Sequence, residues 1–177
     1  APTVASGRVY AITNDSELLA IDANNGNVTW NFQAIAEPAR ILAAPSVAVE
    51  GETVVAPFAS GEVVALLAGN GRRLWSDSLS RSGRLTSLSA IHYIAGRPVV
   101  SNGVAFAASH SGLLAGIDLR SGQRGWARAF ASTQTPFLNT SFFIQLELKG
   151  MGSIGSSPLD VLRRNVPNYT RTSDAAF

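Results

Sequence analysis

The chain has 177 residues, of which 46% are hydrophobic and 15% charged, and its formal net charge at pH 7 is +2. The apolar content suffices for a buried core, and the basic residues are scattered, without the basic patch of a nucleic-acid-binding protein. The chain contains no cysteine, which excludes disulfides and thiolate metal sites within it, and no apolar run approaches the roughly 18 residues of a membrane-spanning helix.

The first predicted elements lie at the start of the chain. An apolar strand, Val9 to Ile12, is followed by a polar turn and a second short strand with the sequence ELLAID. Asn25 and Gly26 tolerate the positive φ values of a tight turn, and the carboxylate of Asp22 can close that turn by accepting a hydrogen bond from the backbone. A third strand then carries Trp30. This stretch therefore predicts three antiparallel strands that end at a tryptophan.

Two linkers interrupt the regular elements. The linker from Gln33 to Ala44 is expected to contain the remaining strand of the first unit and a surface loop. The linker from Ser78 to Gly96 is longer and polar, and its Ser- and Arg-rich start predicts a protruding loop.

The same order of elements recurs twice along the chain. Three copies align without gaps from turn to tryptophan, as SELLAIDANNGNVTW, GEVVALLAGNGRRLW and GLLAGIDLRSGQRGW. The tryptophans are spaced by 45 and 51 residues, close to the period of about 40–50 residues for a four-stranded propeller blade. In each copy a glycine stands four residues before the tryptophan, as in the pairs Gly26 and Trp30, Gly71 and Trp75, and Gly122 and Trp126.

This repeat predicts an all-β fold, a partial β-propeller of about three four-stranded blades, because blades arranged radially leave only short protected edges. The tryptophans are expected to pack between adjacent blades, since a large aromatic ring buries a wide face. A cofactor-stacking or partner-binding surface is the alternative role. In the second copy Leu67 replaces the turn aspartate, and backbone freedom at Gly69 and Gly71 is expected to compensate.

The pattern apolar-Asp-x-x-x-Gly-x-x-x-Trp resembles the PQQ-type propeller repeat of quinoproteins. Residues 1 to about 137 are similar to the family of the outer-membrane protein assembly factor BamB. The stretches that carry this similarity are ILAAPSVA, VVAPFASGEVVAL, GRRLWSDSLSRSGR, LSAIHYIAGRPVV, FAASHSGLLAGIDLRSGQRGW and TQTPF. The resemblance implies an eight-bladed propeller, to which this chain would contribute about three blades.

The resemblance implies a non-catalytic scaffold of the β-barrel assembly machinery, without a cofactor, at the periplasmic face of the outer membrane. The implied partners are the POTRA domains of the barrel subunit BamA and unfolded outer-membrane protein precursors. The family's lipid anchor would be the only membrane contact, and these residues contain neither a signal peptide nor a lipobox cysteine.

Arg40 is the one partner-binding residue that the resemblance transfers to this chain. It stands five positions before Pro45, where the family has an arginine that contacts BamA. Glu37 and Ala39 replace the apolar residues expected just before it. The alternative is that Arg40 is a solvated loop residue.

Two other functions remain open on the sequence alone. The first is a fragment of a PQQ-dependent quinoprotein dehydrogenase, although the calcium site, the catalytic aspartate and the paired cysteines of such enzymes are not recognisable here. The second is a sensor that binds a small ligand in a propeller channel. His92 and His110 lack neighbouring acidic residues at metal-ligand spacing, so His110 is expected to be a solvated turn residue.

Residues 138–177 depart from the repeat, with no tryptophan and no matching turn glycine. A strand is expected over Phe142 to Leu148, a short helix over Leu159 to Arg164, and disorder over Asn165 to Phe177. We interpret this tail as the product of a frameshift, a truncation or a gene end, with a divergent terminus as the alternative. Residues 1–137 are the predicted propeller unit, whose two open faces predict poor solubility.

Overall fold

A computed structural model of the chain describes residues 1–35, 45–79, 94, 96–110, 112–129, 135–139 and 143–145. All of these residues lie within one compact unit, Ala1–Leu146. Their secondary structure consists of strands and turns, and this part of the chain contains no helix that could cross a membrane.

The strands form three four-stranded antiparallel sheets, each assembled in chain order, and one two-stranded sheet. Blade 1 consists of β1 (Thr3–Ala5), β2 (Arg8–Ile12), β3 (Glu17–Asp22) and β4 (Val28–Gln33). Blade 2 consists of β5 (Ala48–Glu50), β6 (Thr53–Pro57), β7 (Glu62–Leu67) and β8 (Arg73–Ser78). Blade 3 consists of β9 (Val99–Ser101), β10 (Val104–Ala108), β11 (Leu113–Asp118) and β12 (Arg124–Ala129). The last sheet pairs β13 (Phe137–Asn139) with β14 (Phe143–Gln145).

The strand expected in the linker from Gln33 to Ala44 was placed wrongly. The strand that completes each blade is a three-residue segment that precedes the three longer strands, so blade 2 begins with β5 at Ala48–Glu50. A two-residue turn that includes Gly51, at φ +56°, connects β5 to β6. A strand of three residues is too short to show a clear alternation of apolar and polar residues, so its position could not be read from periodicity.

The three blades share one irregularity, which shows that the repeats are equivalent residue by residue. The register between the third and fourth strands shifts at Ala20/Ile21 in blade 1, at Ala65/Leu66 in blade 2 and at Gly116/Ile117 in blade 3. Such a bulge increases the local twist of the strand pair. It sits directly opposite the residues around each tryptophan.

The core of the described residues lies between the blades. Successive side chains of a strand point to opposite faces, so Val54 and Val64 pack against blade 1, whereas Val55 and Val63 pack towards blade 3. All four side chains are completely buried. Among the described residues, blade 2 is therefore covered on both faces, and blades 1 and 3 are each covered on one.

The tail is described only at its start. The strand expected over Phe142 to Leu148 is present as β14, and β13 crosses the predicted boundary after Phe137. The helix expected over Leu159 to Arg164 and the segment Asn165 to Phe177 lie outside the described residues, as does most of the Ser78 to Gly96 linker. The division of the chain at residues 137 and 138 stays a prediction.

Candidate functional site

Arg40, the predicted partner-binding residue, lies outside the described residues. The segments on either side of it are firmly held. The backbone N–H of Ala34 donates to the Ser16 carbonyl at 3.0 Å, which fixes the end of β4. Val47 is 1% exposed, and its carbonyl accepts a hydrogen bond from the Thr3 hydroxyl at 2.9 Å. The segment that carries Arg40 thus connects two anchored points, the outer strand of blade 1 and the inner strand of blade 2.

Ile35 is an exposed apolar residue that the sequence analysis did not single out. Its side chain is 72% exposed, the largest exposure among the large hydrophobic residues of the described part of the chain. It lies five positions before Arg40. Exposed apolar side chains and arginines are both residue types found at protein interfaces. Only its exposure distinguishes Ile35, and exposure cannot be read from the sequence.

Trp30 joins blade 1 to blade 2. Its side chain is 9% exposed, and its indole Nε1 donates a hydrogen bond to the Ala68 carbonyl at 2.9 Å. The ring covers Gly71, where an added Cβ atom would lie 2.6 Å from Trp30 Cε3. We call this arrangement an indole socket, defined by a turn glycine and by the carbonyl three residues before it. Gly71 also has a φ of +72°, so both its conformation and its lack of a side chain are needed.

Trp75 occupies the corresponding socket of blade 3. It is 8% exposed, and its Nε1 donates to the Leu119 carbonyl at 2.7 Å. A Cβ atom on Gly122 would lie 2.5 Å from Trp75 Cγ. The same contact is therefore repeated at the two blade interfaces, with the tryptophan always supplied by the preceding blade.

The third tryptophan and the third socket remain apart. Trp126 is partly exposed and packs on its own blade, with its ring centroid 6.1 Å from that of Phe106. The turn of blade 1 contains Gly26 at φ +74°, and a Cβ atom there would meet nothing within 4 Å. Among the described residues, none donates a hydrogen bond to the carbonyl of Ala23, the third residue before Gly26. Within the described part of the chain, the socket of blade 1 is therefore open and the indole of blade 3 is undocked.

The socket turns are closed by aspartates, as expected at two of the three positions. Asp22 Oδ1 accepts hydrogen bonds from the backbone N–H groups of Asn24 and Asn25, at 2.8 and 3.2 Å. Asp118 Oδ1 accepts from the backbone N–H of Ser121 at 2.7 Å and from its hydroxyl at 2.7 Å. These hydrogen bonds, led by the one from the Ser121 backbone, lower the pKa of Asp118 below its ordinary value of 3.8.

The second turn, where Leu67 replaces the aspartate, differs from the expectation. Gly69 does not adopt a positive φ, and the positive φ of Gly71 is common to the turn glycines of all three blades. The turn is held by a backbone hydrogen bond that all three turns share, in which the Leu67 carbonyl accepts from the N–H of Gly71 at 2.8 Å. The same carbonyl also accepts from the N–H of Asn70 at 3.3 Å. The turn of blade 2 therefore differs from the other two in lacking a carboxylate that accepts hydrogen bonds from the turn backbone.

One ion pair crosses the interface between blades 2 and 3. Arg124 Nη2 lies 2.6 Å from Asp77 Oδ1, and Arg124 Nε lies 2.9 Å from Asp77 Oδ2. Arg124 Nη2 also donates to the Ser78 carbonyl at 2.9 Å. The bidentate geometry fixes the outer edges of two neighbouring blades against each other. The two residues are 47 positions apart, so their pairing could not be foreseen from the sequence.

The histidines contribute no recognised chemistry in the described part of the chain. His110 is exposed in the turn between β10 and β11, and His92 lies outside the described residues. Within those residues, no group of three or more His, Asp or Glu side chains is placed to hold a metal ion. The geometry of the described residues is that of contacts between blades.

The family model and the curated relatives that match this chain identify the same family. The matching family model is described as outer membrane protein assembly factor BamB, and it covers residues 1–149. A protein of that name from Nitrosomonas eutropha is 28% identical over 132 residues, which are 75% of this chain and 32% of that protein. The chain therefore spans about a third of the length of this relative.

Solved structures agree on the fold. BamB from Moraxella catarrhalis superposes with a TM-score of 0.68 at 24% identity, over 76% of this chain and 41% of that one. Quinohemoprotein alcohol dehydrogenase from Comamonas testosteroni gives a TM-score of 0.58 at 24% identity, over 72% of this chain and 20% of that one. Likenesses at this level of identity show the fold alone, and they confirm the prediction of a partial propeller.

Proposed function

Because this chain belongs to the family of the outer membrane protein assembly factor BamB, we propose that it is part of a non-catalytic scaffold for assembling outer-membrane β-barrels. The observation that carries the proposal is the match of the BamB family model to residues 1–149, which include all three blades. The scaffold would act at the periplasmic face of the outer membrane. A lipid anchor outside these residues would hold it there.

The proposed partner is the POTRA region of a BamA-like barrel subunit. The residues that support a docking surface lie on the connection between blades 1 and 2. Ile35 supplies exposed apolar area there, and Arg40 follows in the same connection. The residues at the two ends of this connection are held by hydrogen bonds, at Ala34 and at Val47. Unfolded barrel precursors are the second proposed partner.

The test is a binding measurement with the full-length protein and immobilised POTRA domains of the barrel subunit. We expect Arg40→Glu to abolish binding, because it reverses a charge at the proposed contact. Arg72→Glu is the matched control, since Arg72 is an exposed arginine in the turn between β7 and β8 and does not belong to this connection. Unchanged affinity of the Arg40 variant would contradict the assignment of this residue.

The competing function is that of a quinoprotein dehydrogenase, since the fold is similar to that of such an enzyme. The scaffold is favoured because the family model that matches is that of BamB, whereas the likeness to the dehydrogenase shows the fold alone. An assay of alcohol oxidation by the full-length protein with added PQQ and calcium separates the two. We expect no turnover, and dye reduction that depends on PQQ would favour the enzyme.

A further inference from the structure

Three asparagine–glycine pairs occur in this chain, at Asn25–Gly26, Asn70–Gly71 and Asn102–Gly103. In such a pair the backbone nitrogen of the glycine can attack the side-chain carbonyl carbon of the asparagine, because a glycine has no side chain to hinder the approach. All three asparagines are exposed, and each lies in a turn that connects two strands of a blade. Exposure alone therefore does not distinguish them.

Hydrogen bonds hold both reacting groups of the pair in blade 1. The N–H of Gly26 donates to the Asp22 carbonyl at 2.9 Å. The side-chain oxygen Oδ1 of Asn25 accepts a hydrogen bond from the N–H of Asn27 at 2.8 Å. Both hydrogen bonds must open before the Gly26 nitrogen can reach the side chain of Asn25. The reaction at this pair therefore requires a prior local opening of the turn.

The pair in blade 2 is held in the same way, and an indole ring also covers it. The N–H of Gly71 donates to the Leu67 carbonyl at 2.8 Å, and Asn70 Oδ1 accepts from the N–H of Arg72 at 3.0 Å. The ring of Trp30 lies over Gly71, where an added Cβ atom would be 2.6 Å from Trp30 Cε3. We therefore expect this pair to be the most protected of the three.

The pair in blade 3 lacks both hydrogen bonds. Asn102 and Gly103 form the two-residue turn between β9 and β10, with φ values of +52° and +74°. Within the residues that the structure describes, no group accepts a hydrogen bond from the N–H of Gly103, and the side-chain amide of Asn102 makes no hydrogen bond. The two reacting groups of this pair are therefore available while the protein is folded.

The exposure of Asn102 does not depend on whether another blade follows blade 3. The equivalent residue of blade 2 is Gly51, at φ +56°, in the turn between β5 and β6. Gly51 is exposed although blade 2 has a neighbouring blade on each face. The turn between the first two strands of a blade thus stays accessible within a row of blades, and we expect the same of Asn102 in a longer propeller.

We propose that Asn102 is a site of spontaneous deamidation at which isoaspartate accumulates. The Gly103 nitrogen forms a bond to Asn102 Cγ, and Nδ2 leaves as ammonia with the proton of the Gly103 N–H, so that a succinimide ring results. Water then opens this ring. Addition of water to the Cγ carbonyl gives aspartate, whereas addition to the main-chain carbonyl gives isoaspartate, in which the chain runs through the former side chain. This reactivity is independent of the proposed assembly function.

Isoaspartate in this turn should weaken the contact between blades 2 and 3. It adds one carbon atom to the main chain of a two-residue turn, next to the short strand β9, which pairs with β10 through three residues. The Gly103 carbonyl accepts from the N–H of Leu119 at 2.8 Å, and the Leu119 carbonyl accepts from Trp75 Nε1 at 2.7 Å. A displaced turn therefore disturbs the carbonyl that holds the indole of Trp75.

The experiment is incubation of the full-length protein at mildly alkaline pH, with the conversion of each asparagine–glycine pair followed by peptide mass spectrometry. Isoaspartate is measured by labelling with isoaspartyl methyltransferase. We expect Asn102 to convert at least about tenfold faster than Asn25 or Asn70, because at each of those sites two hydrogen bonds must open and each contributes about a factor of five. In urea, where the turns are unfolded, the three rates should become similar.

The comparison of rates decides whether the site is real. Conversion of Asn25 or Asn70 as fast as that of Asn102 in the folded protein would overturn the proposal. So would a folded protein in which Asn102 stays intact while all three pairs convert in urea. Because the three pairs belong to one chain, they share the same buffer, age and extent of unfolding, and each serves as a control for the others.

Asn102→Ser is the matched variant for the structural consequence. Blade 1 has Ser6 and Gly7 at the same turn positions, with φ values of +49° and +72°, so the substitution keeps the turn and removes the reacting amide. We expect the aged wild type to develop a fraction of lower melting temperature in proportion to its isoaspartate content at residue 102, and the aged variant to melt like the fresh one. Equal losses in the two aged proteins, or no loss in converted wild type, would overturn the link to the blade contact.

Discussion

The filled sockets at Gly71 and Gly122 and the open socket at Gly26 contain nearly identical backbones in different surroundings. An added Cβ atom would lie 2.6 Å and 2.5 Å from an indole atom in the first two, and would meet nothing within 4 Å in the third. The positive φ is thus a property of the turn alone, since it is the same with and without an indole. The need for space arises only where a neighbouring blade supplies a tryptophan.

The comparison separates two reasons for the same glycine. A local reason, the left-handed turn, holds in all three blades and is visible in the sequence as a recurring glycine. A tertiary reason, the close approach of an aromatic ring, holds in two of them and depends on which blade comes before. Each can be tested by changing a residue in a filled socket and its counterpart in the open one.

The largest expected difference is between Trp75→Ala and Trp126→Ala. Trp75 is 8% exposed and its Nε1 is hydrogen-bonded to Leu119, so its removal should cost about 3–5 kcal/mol of the free energy of unfolding. Trp126 is partly exposed and undocked, and its loss should cost about 1–2 kcal/mol. Urea unfolding of the two variants and the wild type measures both losses. Equal losses would mean that the docked indole contributes no more than the exposed one.

The next difference is between Gly122→Ala and Gly26→Ala. Both substitutions place a Cβ atom in a left-handed conformation, which costs about 1–2 kcal/mol. Only at Gly122 does the new atom also collide with Trp75, and overpacking of this kind costs about 1–3 kcal/mol more. Thermal unfolding of the two variants at the same low concentration measures the difference. If both lost the same stability, the close approach to the indole would be irrelevant to folding.

The sequence predicts the strands and turns of each blade well. The spacing of Gly26 and Trp30, repeated twice, indicates the blades, the turns and the strand that carries each tryptophan. The carboxylates of Asp22 and Asp118 close their turns as their position in the repeat suggests. These features depend on residues close together in the chain, and short-range geometry constrains them strongly.

The contacts between blades and the exposure of surface residues could not be predicted from the sequence. The acceptors for Trp30 and Trp75 are the main-chain carbonyls of Ala68 and Leu119, and a carbonyl has no sequence signature. The exposure of Ile35 depends on what lies above it after folding. The role of Arg40 stays a prediction, because it comes from the resemblance and the residue lies outside the described part of the chain.

The smallest expected effect concerns the charge in the turn of blade 3, which the turn of blade 2 lacks at Leu67. Hydrogen bonds from Ser121 lower the pKa of Asp118 below 3.8, so the folded protein holds this carboxylate in its ionised form more strongly than the unfolded chain does. The stabilisation is therefore complete above the unfolded pKa and is lost as the pH falls through the lower, folded value.

Asp118→Asn tests this contribution, because it keeps the side-chain oxygen acceptor but removes the titration. Between pH 5 and pH 2, about one unit above and two below the ordinary aspartate pKa, the wild type should lose more stability than Asp118→Asn in parallel thermal melts. Because the carboxylate is fully exposed, the difference should be small, and identical pH profiles would show that the charge of this carboxylate adds nothing to the turn beneath Trp75.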